Sequence, residues 1–212
     1  RIQELHQSFD RTGEISDAEL RATSLKATDQ VVDIKDSNLY IVTVPTPVTD
    51  DNQPDLTPVE KACQTVGAIL KKGDVVVFES TVYPGVTEDF CGPLLEKISG
   101  LKCGSGFYLG YFPERINPGD KVHTVDQITK VVAGQTPEVT AFLKDIYGAV
   151  NGGKIFQAAS IKTAEAAKVI ENAQRDINIA FMNEIASIFQ KMNISIYDVL
   201  EAAGTKWNFL PF

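Results

Sequence analysis

Four polar residues, Glu165, Lys168, Asn172 and Arg175, recur three or four positions apart within the run 164–189. Residues at that spacing share one side of a helix, so an ammonium and a carboxamide are presented together. Upstream, three apolar runs each end in a loop of proline, glycine and polar groups. These loops are Val44-Pro45-Thr46-Pro47, Glu79-Ser80-Thr81-Val82-Tyr83-Pro84-Gly85 and Phe112-Pro113-Glu114-Arg115-Ile116-Asn117-Pro118-Gly119. Together they read as an enzyme site assembled from strand ends and one long helix.

Each of these residues also has a purely structural reading. Thr81 can organise the turn before the next helix, a role hydroxyl side chains often take. Glu114 and Arg115 can be a solvated surface pair, Lys168 and Asn172 a solvent-facing stripe, and Arg175 an i, i+4 partner of Glu171.

The elements that must position them follow from periodicity. Residues 39–44, 74–79, 107–111, 130–133 and 154–157 are short, β-rich apolar runs, and 39–44 reads as a buried parallel strand rather than a half-exposed one. Helical patterns occupy 57–71, 86–98 and 136–147 between them, with shorter pieces at 2–7 and 16–22. Ser16 with Glu19 three residues on is a capping-box pattern. Strands alternating with helices predict a mostly parallel sheet covered on both faces, with ligands bound beyond the carboxyl ends of the strands. From 160 to 192 helical periodicity runs on for some thirty residues, roughly 45 Å at 1.5 Å each, long enough to leave one domain and form the spine of another. A further helix over 194–203 would be closed by Gly204 as a C-cap.

The 212 residues, 43% of them hydrophobic, can bury a substantial core. A net charge of −8 argues against a broad polyanion-binding surface, and so against nucleic acid as a partner. No run has the apolar length of a membrane span, and 1–5 resembles no secretory signal, so a cytoplasmic address is expected. Cys63, Cys91 and Cys103 lack metal-ligand or redox spacing and read as reduced thiols, with no metal site. Gly104-Ser105-Gly106 precedes a strand instead of opening a helix and reads as a turn; no GxGxxG is present.

Seven motifs occur in a fixed order: Thr43-Val44-Pro45-Thr46-Pro47, Pro54-Asp55-Leu56, 79–85, 113–119, Glu165-Ala166-Ala167-Lys168 with Asn172, Asn183-Glu184 and Lys206-Trp207-Asn208-Phe209. That order resembles the UDP-glucose/GDP-mannose dehydrogenase family over essentially the whole chain. It looks closest to the bacterial UDP-N-acetylglucosamine 6-dehydrogenases of the Vi-capsule and O-antigen type. The resemblance implies an α/β fold: a Rossmann-like, incomplete sheet over 1–159, then a long central helix and the start of an α-helical dimerisation domain over 160–212. It also implies NAD as cofactor, a UDP-sugar as substrate, oxidation of its C6 alcohol to the uronic acid through a cysteine thioester, and a homodimer through the helix 160–191.

By the same resemblance, Lys168 and Asn172 would hold the oxygen that becomes anionic. Glu114 would orient or deprotonate the hydrolytic water, and Thr81 would hydrogen-bond that water or the nicotinamide side. Val44, Pro45 and Thr46 would pass near the cofactor pyrophosphate and ribose, and Arg115, Trp207 and Phe209 would lie with Glu114, Lys168 and Asn172 beside the nucleotide sugar. Two other readings stay open: a β-hydroxyacid or 6-phosphogluconate-type dehydrogenase, which shares a Rossmann half and a long helix with lysine and asparagine, and a non-catalytic dimerising scaffold.

Two departures qualify the match. Pro118 stands where UDP-glucose dehydrogenases carry a second glutamate, which favours an acetamido sugar. The family's glycine-rich first turn would precede Arg1, and its nucleophilic cysteine segment would follow Phe212. The 212-residue chain alone is therefore expected to produce no steady NADH from NAD and UDP-N-acetylglucosamine. Continuous absorbance at the NADH band checks this.

Overall fold

The computed structural model describes residues 1–116, 122–124 and 126–210; the expectations placed on Asn117, Pro118, Gly119 and Phe212 lie outside the described residues. Short helices α1 (Ile2–His6) and α2 (Asp17–Ala22) come first. Ser16 and Glu19 cap α2 reciprocally, as their spacing predicts. Five strands then form one sheet in chain order: β1 (Leu39–Val42), β2 (Val75–Phe78), β3 (Tyr108–Tyr111), β4 (Lys130–Gly134) and β5 (Ile155–Gln157). Helices α3 (Thr57–Gly67), α4 (Gly92–Ser99) and α5 (Pro137–Asn151) connect the three parallel pairs. β3 and β4 pair antiparallel, Gly110 opposite Gly134, because their connection supplies no crossover helix among the described residues.

The sheet has helices on both faces. Val76, Phe78, Leu109 and Tyr111 pack with Val59 and Cys63 of α3 and Leu95 of α4, whereas Val75, Val77 and Val132 pack with Val139 and Leu143 of α5. Each such fully buried side chain contributes roughly 1.5–3 kcal/mol relative to exposure. β2 is buried at all four positions. β1 corrects the expectation of a fully buried strand: Tyr40 and Val42 are buried, but Ile41, on the other face, is 44% exposed among the described residues.

Other departures have local causes. The pattern over 86–98 divides into a π-helical turn, Val86–Cys91, and α4. Pro93 has no N–H to continue an α-ladder, so the turn before it is wound wider. The helix 57–71 stops at Gly67, where a Cβ would sit 2.9 Å from Ile98 of α4. The turn expected at Gly104 is present, with Gly104 at φ +83°.

The helix α6 (Ile161–Lys191) runs for 31 residues, and only its first turns enter the core, through Ile161, Ala164 and Glu165. α7 (Ile196–Gly204) follows, but Gly204 is its last residue rather than its cap; Thr205 ends it in right-handed geometry.

Gly134 and Gly148 separate close approach from simple flexibility. A Cβ at Gly134 would lie 2.5 Å from the Thr140 amide nitrogen, whereas one at Gly148 would meet nothing nearer than 3.6 Å. Gly134→Ala should destabilise by about 1–3 kcal/mol, and Gly148→Ala, inside α5, should stabilise by about 0.5–1 kcal/mol. Denaturant unfolding of the two variants checks the opposite signs.

Candidate active site

The carboxyl ends of β1, β2 and β3 close around a cavity of about 430 Å³, lined by residues 43–46, 79–81 and Glu114. Cross-loop bonds fix its walls. Ser80 donates its hydroxyl to the Val44 carbonyl at 2.6 Å, and Thr46 donates to the Thr81 carbonyl at 2.5 Å. Behind them the buried Tyr111 hydroxyl donates to the Ser80 carbonyl at 3.2 Å.

Glu114 is the most heavily bonded group of the cavity. Its carboxylate accepts the amides of Arg115 and Ile116, both at 2.6 Å, and the ammonium of Lys130 at 3.0 Å. Lys130 is only 2% exposed and lies over the Phe112 ring, 5.3 Å from its centroid. Burial pushes the Glu114 carboxyl up, but the Lys130 hydrogen bond and charge and the two amides outweigh it, so the group titrates below the usual glutamate range.

Glu79, which lines the same cavity and is half-buried at the end of β2, accepts from the Tyr147 hydroxyl at 2.6 Å. Tyr147 is itself stacked on Phe112, centroids 3.8 Å apart.

α6 reaches this region through its first three turns. Glu165, fully buried, accepts the amides of Gly85 at 2.6 Å and Thr87 at 3.0 Å. One turn on, Lys168 donates its ammonium to the Glu114 backbone carbonyl. Burial leads the causes that hold Lys168 below the usual lysine range. Arg115 bonds Glu171 at 2.8 Å and the Thr129 carbonyl at 2.9 Å, and Arg175 donates to the Asn172 amide oxygen at 2.6 Å. The Arg175–Glu171 and Glu114–Arg115 pairings left open by the sequence are thus replaced by these partners.

Val44, Pro45, Thr46, Thr81 and Glu114 line one cavity, and Lys168 is tied to it through the Glu114 carbonyl. Asn172 lies a turn further along α6, turned to Arg175. Trp207 is 93% exposed and has no packing role among the described residues; Phe209 is half-buried beyond α7. Sequence reasoning missed Glu79, Lys130, Tyr147 and the anchoring role of Glu165. Lys130 carried a usable signal, a charge opening the apolar run Lys130-Val131-Val132-Ala133, since a lysine in a buried strand requires a partner.

The hydroxyls and carbonyls of 43–46 and Thr81 suit the neutral carboxamide and ribose hydroxyls of a nicotinamide nucleotide. With Glu79 and Glu114 in the same cavity, a pyrophosphate would meet two carboxylates and no adjacent cation from the 43–46 loop. The expected nearness of Val44, Pro45 and Thr46 to the cofactor therefore fits its ribose and nicotinamide end better than its pyrophosphate.

Residues 12–151 match the UDP-glucose/GDP-mannose dehydrogenase family, NAD binding domain, and residues 162–211 match that family's central domain. The chain is 54% identical over 212 residues to Protein CapL of Staphylococcus aureus, aligning 100% of this chain with 50% of that one. It is 54% identical over 213 residues to a UDP-N-acetyl-D-glucosamine 6-dehydrogenase of Pseudomonas aeruginosa, at the same coverage. The solved UDP-D-ManNAc dehydrogenase of Pyrococcus horikoshii superposes with a TM-score of 0.90 at 33% identity, over 98% of this chain and 50% of that one. The chain thus spans about half the length of the curated relatives it matches.

The Glu114–Lys130 pair has a defined pH signature. Because the folded-state pKa of Glu114 is depressed, its contribution is complete above the unfolded value, about 4.3, and is lost as pH falls through the folded one. Glu114→Gln strips the buried Lys130 of its charged partner and should cost roughly 1–3 kcal/mol at neutral pH. The deficit should shrink in acid, where the wild-type carboxyl is also neutral; urea unfolding across that range checks both.

Proposed function

Since the chain belongs to the UDP-glucose/GDP-mannose dehydrogenase family, we propose that it is part of an NAD-dependent enzyme that oxidises the C6 alcohol of UDP-N-acetylglucosamine, or a related UDP-hexose, to the uronic acid used in capsule or O-antigen polysaccharide. Residues 1–159 would be the remainder of the NAD-binding domain and 160–212 the start of the central helical domain. The observation that carries this reading is the bond from Lys168 of α6 to the backbone of Glu114, which joins a helix-borne cation to the strand-end cavity. The two acetamido-sugar relatives favour this substrate over a small hydroxyacid.

NAD, when bound, supplies the hydride acceptor. The other roles belong to this chain. Lys168 would offset charge on the sugar oxygen as C6 is oxidised, with Asn172 one turn on as the second donor through its Nδ2, its Oδ1 being taken by Arg175. Glu114, ionised at neutral pH, orients and deprotonates the water that completes the acid. Thr81, with its carbonyl held by Thr46, keeps its hydroxyl at the exposed rim toward that water or the nicotinamide. Arg115, fixed by Glu171, and the Trp207-Asn208-Phe209 segment would border the nucleotide sugar.

The family's central helix is the natural seam for a homodimer. Ile170, Ile177, Phe181 and Ile188 of α6, exposed by 68%, 65%, 52% and 49%, follow helical spacing on one side. A second copy covering 160–191 would remove that apolar stripe from water. No helix among the described residues is long and apolar enough to cross a membrane, and a cytoplasmic address suits a nucleotide-sugar substrate.

Purified complete gene product should reduce NAD with UDP-N-acetylglucosamine faster than with UDP-glucose and not with small hydroxyacids. Lys168→Met should lower kcat by about 10²–10³-fold. NADH formation with hydroxyacids alone, or an unchanged kcat in the variant, would overturn the reading.

A further inference from the structure

The cavity holds a carboxylate that the roles above leave unused. Glu79 stands at the end of β2, lining the same space as Glu114 but in the opposite environment. Glu114 is surrounded by donors: two backbone amides and the buried Lys130. Among the described residues Glu79 has a single neutral donor, the Tyr147 hydroxyl on its Oε1, so Oε2 is left to take a proton. The position is set from three elements: Tyr147 comes from α5, Phe112, on which it stacks, from the end of β3, and Lys130, whose ammonium lies over the same Phe112 ring, from β4.

We propose that Glu79 is the proton acceptor behind Glu114, taking the proton that Glu114 removes from water and returning Glu114 to its charged form between turnovers. The proposal rests on the dehydrogenase reading above. The step is a proton transfer with no redox change: the O–H bond of the Glu114 carboxylic acid breaks, an O–H bond forms at Glu79 Oε2, and the pair passes from Glu114-COOH with Glu79-COO⁻ to Glu114-COO⁻ with Glu79-COOH. A water in the shared cavity can carry the proton, and solvent at the exposed rim of 43–46 and Thr81 receives it afterwards.

The charged and titratable groups facing Glu79 set the direction. Burial pushes its carboxyl above the usual glutamate range and the Glu114 charge adds to that, while the Tyr147 hydrogen bond and the Lys130 charge oppose it. Glu114 lies on the other side of the ordinary value. Two carboxyls pushed apart in this way divide the work, the stronger acid touching the reactant and the weaker one storing the proton. Burial and the Glu79 charge push the Tyr147 phenol up, so it stays a donor throughout.

The test uses the complete gene product with NAD and UDP-N-acetylglucosamine. In the wild type kcat should rise with pH through the raised Glu79 value, because the acceptor must be ionised. Glu79→Gln should lower kcat by about 10²-fold with KM for both substrates unchanged, and should abolish that limb of the profile. Tyr147→Phe removes a bond that lowers the Glu79 value, so it should move the limb to higher pH. A purely structural role for the pair would not move the limb. Wild-type kcat and profile in Glu79→Gln, or an unshifted limb in Tyr147→Phe, would overturn the proposal alone. A wild type that turns over no nucleotide sugar would instead remove the functional reading, and this proposal with it.

Discussion

The buried carboxylate of Glu165 is the joint on which the site depends. It is fully buried, and it accepts the amides of Gly85 and Thr87 at 2.6 and 3.0 Å. Those amides open the π-helical turn after β2, where unpaired N–H groups and the helix dipole favour an anion. A buried charge held only by one element would be costly; here one element supplies the charge and another the donors, so each satisfies what the other would leave unpaired. Gly85, at φ +101°, makes the bend that turns its amide toward the carboxylate, a conformation other residues rarely adopt. The exposed pair Lys162–Asp89, 2.9 Å apart, braces the same junction from outside. Because Lys168 lies three residues beyond Glu165, the joint sets the distance between the helix-borne ammonium and the loops of the sheet.

Charge inside the cavity is organised by the same logic of paired burial. Lys130 enters from β4, the strand that runs antiparallel to β3, and reaches Glu114 with its ammonium over the Phe112 ring. Phe112 in turn stacks on Tyr147, which bonds Glu79. One aromatic pair thus carries the cation that ionises one carboxyl and the phenol that satisfies the other. Reversing the strand direction at β4 has a chemical consequence: it brings a lysine from the opening of a strand to the end of the sheet where β1, β2 and β3 terminate.

The parts of this arrangement that were legible in sequence are those written in local periodicity. All five strands and the long helix follow from apolar runs and 3.6-residue spacing, and the three strand-end loops announce themselves by their prolines and polar groups. What was not legible depends on partners distant in the chain. The exposure of Ile41 depends on what packs over that face of β1, which no local pattern encodes. Glu79 and Tyr147 are 68 residues apart, and neither side chain names the other. Gly204 has the residue type of a helix cap but meets nothing within 4 Å, so no packing requires a reversal there and the helix simply includes it.

The long helix also grades the site by rigidity. Ile161, Ala164 and Glu165 hold the first turn of α6 in the core, and Lys168 is the next residue tied to the sheet, through the Glu114 carbonyl. Beyond it Glu171 is held by Arg115, and Asn172 by its own helix neighbour Arg175, not by the sheet. The remainder leads into α7 and exposes Ile177, Ile179 and Phe181. Restraint on the polar stripe therefore falls with distance from Glu165. The Lys168 ammonium, bonded to the backbone of a strand-end loop, sits next to the anchor. The Asn172 amide, a turn further on, has its oxygen held only from within the helix.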